Sequence, residues 1–220
     1  MKFNTKLLHG NKMGDANTGA TLTPVYQSSA FYQPSAEQHE KLFHNKATGF
    51  SYTRINNPTI LAFEERMTTL EGGLASVACA SGMAAITNAL LNVVTCGQEI
   101  VASTSLYGGS IDVFHDFEAF GIKTVFVDIS DVNAVEAAIN ENTRVIFAET
   151  IGNPKLDVVD IEALAKLAHQ HDLPLVMDNT VATAYLVKPI EKGADIVVNS
   201  TSKYINGNSN AISGVITESG

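Results

Sequence analysis

Short apolar runs alternate with amphipathic helical patterns along most of this chain, and this alternation restricts the possible folds more than any other feature. Seven short, mostly apolar runs are predicted to be strands: residues 74–79, 99–102, 122–127, 144–148, 173–177, 196–198 and 211–217. Between them, apolar side chains recur at helical spacing, as Ile161, Leu164 and Leu167 do. The alternation predicts a three-layer α/β fold, in which helices cover both faces of a mostly parallel sheet.

The chain is predicted to divide into two parts near residue 57. From Asn57, which can cap a helix opened by Pro58, helix and strand signals continue without a linker. Residues 57–220 are therefore predicted to form one α/β domain. Residues 1–56 lack periodicity, but they hold too many apolar side chains for a disordered tail. We expect them to form an irregular N-terminal arm that contacts a neighbouring subunit.

The composition of the chain narrows the classes of molecule that it is expected to bind. The net charge of -9 and the pI near 5.0 do not favour binding to a nucleic-acid backbone. No apolar run approaches the length of a membrane span, and the N-terminus does not resemble a signal peptide, so a cytoplasmic protein is expected. The cysteines are not in a CxxC pattern and the histidines lack metal-ligand spacing, so no metal site is predicted.

A lysine and an aspartate follow two of the predicted strands. The strand at 196–198 leads through three hydroxyl residues to Lys203, and the strand at 173–177 ends in Asp178. Ligands in open α/β sheets bind at the carboxyl ends of strands, so both side chains are predicted to face one crevice. Pyridoxal phosphate (PLP) requires such a pair, an amine that bonds to it and a carboxylate for its pyridinium nitrogen. The alternative for Lys203, taken alone, is an ordinary solvated lysine.

Two further segments are candidates for binding a phosphate group. Neither a GxGxxG dinucleotide loop nor a GxxxxGK[ST] loop is present. Ser81, Gly82 and Met83 begin a helix whose free amides could bind an anion, with an ordinary helix cap as the alternative. Tyr52 and Arg54 would point the same way from an extended segment, with an ordinary surface pair as the alternative.

Tyr107 and Asn153 are the remaining candidates near the predicted crevice. Tyr107 follows a strand in a glycine-flanked loop, where it could lie on a planar ligand or pack in the core. Asn153 could offer its amide to the crevice, but Gly-Asn-Pro is also turn chemistry. The residue types alone leave both alternatives open.

Together these segments resemble the Cys/Met-metabolism family of PLP-dependent enzymes, in the family's order and over nearly the whole chain. The matching segments are residues 52–54, 57–59, 70–73, 80–84, 106–109, 149–154, 178–180 and 200–204. The resemblance implies the large PLP-binding domain of the aspartate-aminotransferase-like (fold type I) class. Family members are longer and have a C-terminal domain with an arginine that binds the substrate carboxylate. We therefore expect this chain to lack that domain, to hold PLP and to turn over poorly by itself.

The resemblance also implies roles for the residues at the cofactor ring. Lys203 would bond covalently to PLP and later move protons at the substrate. Asp178 would pair with the ring nitrogen, and Tyr107 would stack on the ring and assist the leaving group. Asn153 would lie near the ring oxygen and the substrate carboxylate.

A second group of matched residues would bind the cofactor, mainly through its phosphate: Tyr52, Arg54, Ser81, Gly82, Met83, Thr180, Ser200 and Ser202. The resemblance implies that Tyr52 and Arg54 reach the site of a neighbouring subunit. A dimer would then be the minimal active unit, and a homotetramer is the expected assembly.

Two segments, residues 151–154 and 185–189, resemble the O-acetylhomoserine sulfhydrylases within the family. We therefore expect a γ-replacement on O-acetyl-L-homoserine, in which sulfide or a thiol displaces acetate and gives homocysteine or methionine. Asn199 and Asn208 stand where histidine is common in the family, and Ala184 stands where proline is common. The alternatives are a cystathionine γ-synthase, a cystathionine or methionine γ-lyase, and a non-catalytic fragment of such an enzyme.

Overall fold

The structure is a computed structural model that describes residues 1–10 and 14–220. The described chain divides into two compact units, Met1–Arg66 and Met67–Gly220. The predicted arm, residues 1–56, falls within the first unit. No helix among the described residues is long and apolar enough to cross a membrane.

The N-terminal unit is more regular than the sequence suggests. It contains two short helices, α1 (Phe3–His9) and α2 (Ala36–Phe43). Ser35 caps α2, because its hydroxyl accepts a hydrogen bond of 3.2 Å from the amide of Gln38. Neither helix buries a residue, so neither contributes to a hydrophobic core.

A mixed sheet forms the centre of the second unit. Its described strands are β1 (Ala75–Cys79), β2 (Glu99–Ser103), β3 (Lys123–Val127), β4 (Thr143–Glu149), β5 (Leu175–Asp178), β6 (Ile196–Asn199) and β7 (Gly214–Glu218). Their order across the sheet is β1-β7-β6-β5-β4-β2-β3. The pairs among β2 to β6 are parallel, whereas β7 is antiparallel to both β1 and β6. The predicted mostly parallel sheet is confirmed.

Helices connect these strands, and several of them begin at a capping side chain. The described helices after α2 are α3 (Pro58–Glu71), α4 (Gly82–Val93), α5 (Gly108–Phe117), α6 (Val132–Ala138), α7 (Ile161–Gln170) and α8 (Thr183–Leu186). Ser81, Asp131 and Asp160 each accept a backbone hydrogen bond at the start of a helix. A cap of this kind stabilises a helix by about 0.5–2 kcal/mol.

Side chains of the central strand β4 alternate between two hydrophobic cores. Val145 and Phe147 pack with residues of α4 and α5, and Ile146 and Ala148 pack with residues of α6 and α7. All four side chains are completely buried. A strand buried on both faces requires covering layers on both sides of the sheet. This arrangement confirms the predicted three-layer α/β fold.

The register of the sheet brings several polar residues to one edge. Glu149, the last residue of β4, is paired with Asp178, the last residue of β5. Asp178 is paired in turn with Val198 of β6, so the carboxyl ends of three neighbouring strands meet. The antiparallel strand β7 begins at the same edge, where a Cβ on Gly214 would lie 2.2 Å from the carbonyl oxygen of Ser81. Glycine at this position therefore allows β7 to approach the start of α4.

Candidate active site

A cleft of about 770 Å³ lies at the carboxyl ends of β4, β5 and β6. Ten of the predicted site residues line it: Ser81, Gly82, Met83, Tyr107, Asn153, Asp178, Thr180, Ser200, Ser202 and Lys203. The sequence places these residues in separate segments, and the parallel register of the strands brings them together. Parallel α/β sheets commonly bind ligands at this edge.

One wall of the cleft combines a helix start with a serine hydroxyl. Ser81 caps α4, because its Oγ accepts a hydrogen bond of 3.1 Å from the amide of Ala84. A Cβ added to Gly82 would lie 2.4 Å from Cβ and 2.7 Å from Oγ of Ser200, so only glycine permits this approach. The first amides of a helix have no partner within the helix, and its N-terminal dipole favours an anion. This wall therefore has the donors that a phosphate group needs.

The turn after β6 is held from two sides. The amide of Ser200 donates to Oγ1 of Thr180 over 2.7 Å. The buried Thr201 and the half-buried Ser202 both form hydrogen bonds with Ser213. Oγ1 of Thr201 lies 2.5 Å from Oγ of Ser213, and Oγ of Ser202 donates to the Ser213 carbonyl over 3.1 Å. Of the three hydroxyl residues before the lysine, Ser200 and Ser202 line the cleft and Thr201 does not. Lys203 lines the cleft and is exposed.

Asp178 is a buried carboxyl at the end of β5, with 9% of its surface exposed. Burial raises its pKa, while hydrogen bonds from Thr180 lower it, including one of 2.8 Å from the Thr180 amide to Oδ1. No lysine, arginine or histidine among residues 1–10 and 14–220 forms an ion pair with it. A cation brought into the cleft beside this carboxyl would favour its ionised form.

Tyr107 and Asn153 lie on the loops that follow β2 and β4. Tyr107 is half exposed, at 49%, and occupies the N-cap position of α5. A Cβ added to Gly109 would lie 2.6 Å from Cε1 of the Tyr107 ring, so the ring rests on the glycine backbone. Asn153 lines the cleft and precedes Pro154 through a cis peptide bond. Both residues are therefore available to a ligand, and Tyr107 is not a core aromatic.

Sequence analysis missed one carboxyl that also lines the cleft. Glu149 is 7% exposed and accepts a hydrogen bond of 2.7 Å from the amide of Tyr107. Burial raises its pKa to about 8, against backbone hydrogen bonds from Tyr107 and Asn153, and nearby Asp178 and Asp157 add to the increase. The sequence feature that could have identified Glu149 is its position, because it directly follows a predicted strand, as Asp178 does.

A buried polar network lies beneath the cleft. Glu71 is completely buried and accepts hydrogen bonds from Nδ2 of Asn199 at 2.8 Å and from Nδ2 of Asn179 at 3.4 Å. Asn179 follows Asp178, and Asn199 precedes Ser200, so the network joins the ends of β5 and β6 to α3. Burial raises the pKa of Glu71 to about 7, against the two amide hydrogen bonds and the attraction of Lys188.

Tyr52 and Arg54 are the two predicted site residues that do not line this cleft. They belong to the N-terminal unit, where both are exposed. The Arg54 guanidinium lies over the Tyr52 ring, 5.5 Å from its centroid. Their predicted contact with a cofactor in a neighbouring subunit stays a prediction.

Comparison with known proteins identifies the family of the chain. Residues 4–220 match the family model described as Cys/Met metabolism PLP-dependent enzyme. The chain belongs to this family. It is 45% identical over 220 residues to an O-acetyl-L-homoserine sulfhydrylase of Leptospira meyeri, and 44% identical over 200 residues to an L-methionine gamma-lyase of Fusobacterium nucleatum subsp. polymorphum. These matches cover 100% and 90% of this chain but only 50% and 51% of the relatives, so the chain spans about half their length.

Solved structures of related enzymes are closely similar to the chain. A structure from Campylobacter jejuni subsp. jejuni, assigned as an O-acetylhomoserine (thiol)-lyase, gives a TM-score of 0.95 at 34% identity and carries N'-pyridoxyl-lysine-5'-monophosphate. A cystathionine gamma-lyase from Lactobacillus plantarum, complexed with L-serine, gives a TM-score of 0.92 at 41% identity. Each covers 100% of this chain, which covers 55% of each of them. The fold type I prediction is confirmed, and the PLP-dependent family supports PLP as cofactor.

The residues of the cleft fit the cofactor of the Cys/Met metabolism family. The space beside Ser200 and the start of α4, which a Cβ on Gly82 would fill, has donors for a phosphate. Asp178 is a buried carboxyl suited to a pyridinium nitrogen, and Lys203 supplies an amine on the same cleft. The donor set therefore matches the chemistry of PLP at its phosphate, its ring nitrogen and its aldehyde.

Proposed function

We propose that this chain binds PLP through Lys203 and forms the cofactor-binding part of an enzyme that performs γ-replacement on O-acetyl-L-homoserine. Sulfide or a thiol would displace acetate and give homocysteine or methionine. The observation that carries the proposal is the single cleft on which Lys203, Asp178 and the Gly82 helix start converge. The 45% identity to a sulfhydrylase over the whole chain supports the choice of reaction.

PLP, when bound, supplies an electron sink that stabilises negative charge at the substrate Cα. In the proposal, Asp178 holds a positive charge on the ring nitrogen by ion pairing. Ser200, Ser202 and the amides at the start of α4 hold the phosphate and so orient the ring. Lys203 Nζ would take and return protons at the substrate, and Tyr107 would contact the ring.

A second reaction, γ-elimination, also has a specific observation in its favour. The chain is 44% identical to one L-methionine gamma-lyase and 39% identical to another, from Pseudomonas putida. Product analysis separates the two reactions. O-acetyl-L-homoserine with sulfide should yield homocysteine and acetate, whereas a lyase should release methanethiol, a 2-oxo acid and ammonia from methionine and water without added sulfide. Ammonia release from methionine, with no homocysteine formed, would replace the first reaction by the second.

The proposed setting is a cytoplasmic homo-oligomer whose minimal unit is a dimer, with a tetramer as the expected assembly. Tyr52 and Arg54 would complete the phosphate site of the adjacent subunit. Mixing Arg54→Ala protein with Lys203→Ala protein tests this, because hybrid dimers would contain one intact site. PLP binding that recovers on mixing supports the shared site, and binding that equals the sum of the separate variants contradicts it.

A further inference from the structure

Glu149 is a buried titratable group on the cleft that the proposed chemistry does not use. It ends β4 directly beside Asp178, and both line the same cleft. Two carboxyls on neighbouring strands do not both ionise readily in a buried site. Since the pKa of Glu149 is raised to about 8, mainly by burial, this carboxyl is mostly protonated at neutral pH. Asp178 is then free to carry the negative charge at the cleft.

Glu149 also interacts with two loops that reach the cleft from different strands. Its Oε1 accepts the Tyr107 amide at 2.7 Å, on the loop between β2 and α5. The backbone of Asn153, on the loop after β4, also acts on this carboxyl and lowers its pKa. The geometric hydrogen bond is therefore to Tyr107, one of the residues predicted to meet the ring of the cofactor.

The position of the Tyr107 ring depends on this backbone anchor. Tyr107 is the N-cap residue of α5, but its side chain makes no capping hydrogen bond. The ring is half exposed and lies on Gly109. The Tyr107 carbonyl accepts hydrogen bonds from Ser110 at 2.9 Å and Ile111 at 3.2 Å, whereas its amide is held by Glu149. Loss of the Glu149 bond would therefore free the amide side of Tyr107 and let the ring shift at the cleft.

We propose that Glu149 is a positioning residue that holds Tyr107 at the cofactor cleft through the hydrogen bond it accepts from the Tyr107 amide. This inference rests on the proposed PLP site. Glu149 acts as an acceptor and not as a negative charge, so glutamine should replace it and an apolar residue of similar size should not.

The test compares PLP affinity in Glu149→Gln and Glu149→Met, measured by titrating the absorbance and the visible circular dichroism of the bound cofactor. Loss of a buried hydrogen bond to the Tyr107 amide should weaken PLP binding by roughly tenfold in Glu149→Met. Glu149→Gln should stay within about threefold of the parent, because its amide oxygen still accepts. The circular dichroism of the cofactor should change with Met and not with Gln.

Matched controls separate positioning from general stability. Glu99 is another largely buried glutamate of the same sheet, at the amino end of β2 and away from the cleft. Glu99→Met should lower the unfolding midpoint but leave PLP affinity and circular dichroism unchanged. If Glu149→Met does not fold, Glu149→Asp, which withdraws the acceptor by one methylene, should still weaken PLP binding measurably.

A double-mutant cycle tests whether Glu149 acts through Tyr107. In the Tyr107→Ala background, the further loss on Glu149→Met should shrink well below that in the parent. Equal losses in both backgrounds, equal effects of Gln and Met, or parent-like binding by Glu149→Met would each overturn the inference. A parent protein that does not bond to PLP at Lys203 would instead refute the proposed function.

Discussion

The buried carboxyls at the two ends of the mostly parallel sheet differ in their hydrogen-bond partners and in the direction of their pKa shifts. At the amino end, Glu99 receives hydrogen bonds from Asn140 at 2.7 Å and from Lys123 at 3.0 Å, and these lower its pKa. At the carboxyl end, Glu149 and Asp178 have no basic partner within the described part of the chain, and burial raises the pKa of both.

Glu99 has the features of a structural carboxyl, whereas Asp178 and Glu149 have the features of carboxyls suited to a ligand. Glu99 completes its interactions with its own chain, so it needs nothing from outside. Asp178 and Glu149 face a cleft that also presents an amine and a helix start. Unpaired buried carboxyls disfavour their own ionisation and so destabilise the folded chain at neutral pH. Ionisable groups with perturbed pKa values that lie together on one cleft are typical of functional sites.

Asp178→Asn should have the largest effect on PLP affinity, because it removes a carboxyl that distinguishes the cleft end of the sheet. The amide cannot ion-pair with a pyridinium nitrogen, and loss of a buried pair costs about 3–5 kcal/mol. PLP affinity should therefore fall by about two to four orders of magnitude, as measured by absorbance titration. The protein without PLP should be at least as stable as the parent, since a buried acid is removed. Unchanged PLP affinity would mean that Asp178 does not meet the ring.

Glu71→Gln should change the pH dependence of stability. The pKa of Glu71 is raised from 4.5 to about 7 in the folded chain. The folded form holds its proton more tightly, so this contribution is complete below pH 4.5 and is lost as pH rises through 7. Urea unfolding should show the parent losing about 3 kcal/mol relative to the variant across this range.

The glutamine in that variant does not titrate and can donate to Asn179 Oδ1 or Asn199 Oδ1. Neither oxygen has a hydrogen-bond partner in the described part of the chain. Parallel pH profiles for the parent and Glu71→Gln would show that Glu71 does not titrate in this range.

Gly82→Ala should weaken PLP binding, because the added Cβ fills the space proposed for the phosphate beside Ser200. The new Cβ would lie 2.4 Å from Cβ of Ser200, which costs about 1–3 kcal/mol by overpacking. PLP affinity should fall by at least about tenfold, measured by fluorescence titration. Gly108→Ala is the matched control, since Gly108 also begins a helix but has nothing within 4 Å of an added Cβ. Equal effects of the two changes would contradict a special role for Gly82.

Glu99→Gln should have the smallest effect and only on stability. It removes the ion pair with the exposed Lys123 but keeps an acceptor for Asn140, so the expected loss is about 1 kcal/mol. PLP affinity should equal that of the parent. A change in PLP affinity would show that the two ends of the sheet are not independent.

The sequence predicts the elements of the second unit well because each has a local signal. Ser81 and Asp160 are residue types that favour helix caps, and both cap their helices. Other features depend on tertiary structure and leave no local pattern. The direction of β7 and the turn of Thr201 toward Ser213 are set by packing partners far along the chain. The helices α1 and α2 lie in a segment for which no helix was predicted, and both are short and bury no residue.

The candidate site could be predicted only in part for the same reason. The residues with recognisable roles, such as Lys203 and Asp178, were found from strand ends and from the family resemblance. Glu149 was missed because its significance lies in the register beside Asp178 and in the amide of Tyr107, and neither is visible in sequence.

Borohydride reduction of the PLP-loaded chain, followed by peptide mass spectrometry, shows directly whether PLP bonds to Lys203. We expect a visible absorbance band that disappears on reduction and a pyridoxyl group fixed on the peptide that contains Lys203. Lys203→Ala should lose both, and Lys166→Ala, which changes an exposed lysine of α7, should keep both. A pyridoxyl group on another lysine, or no band after addition of PLP, would contradict the account.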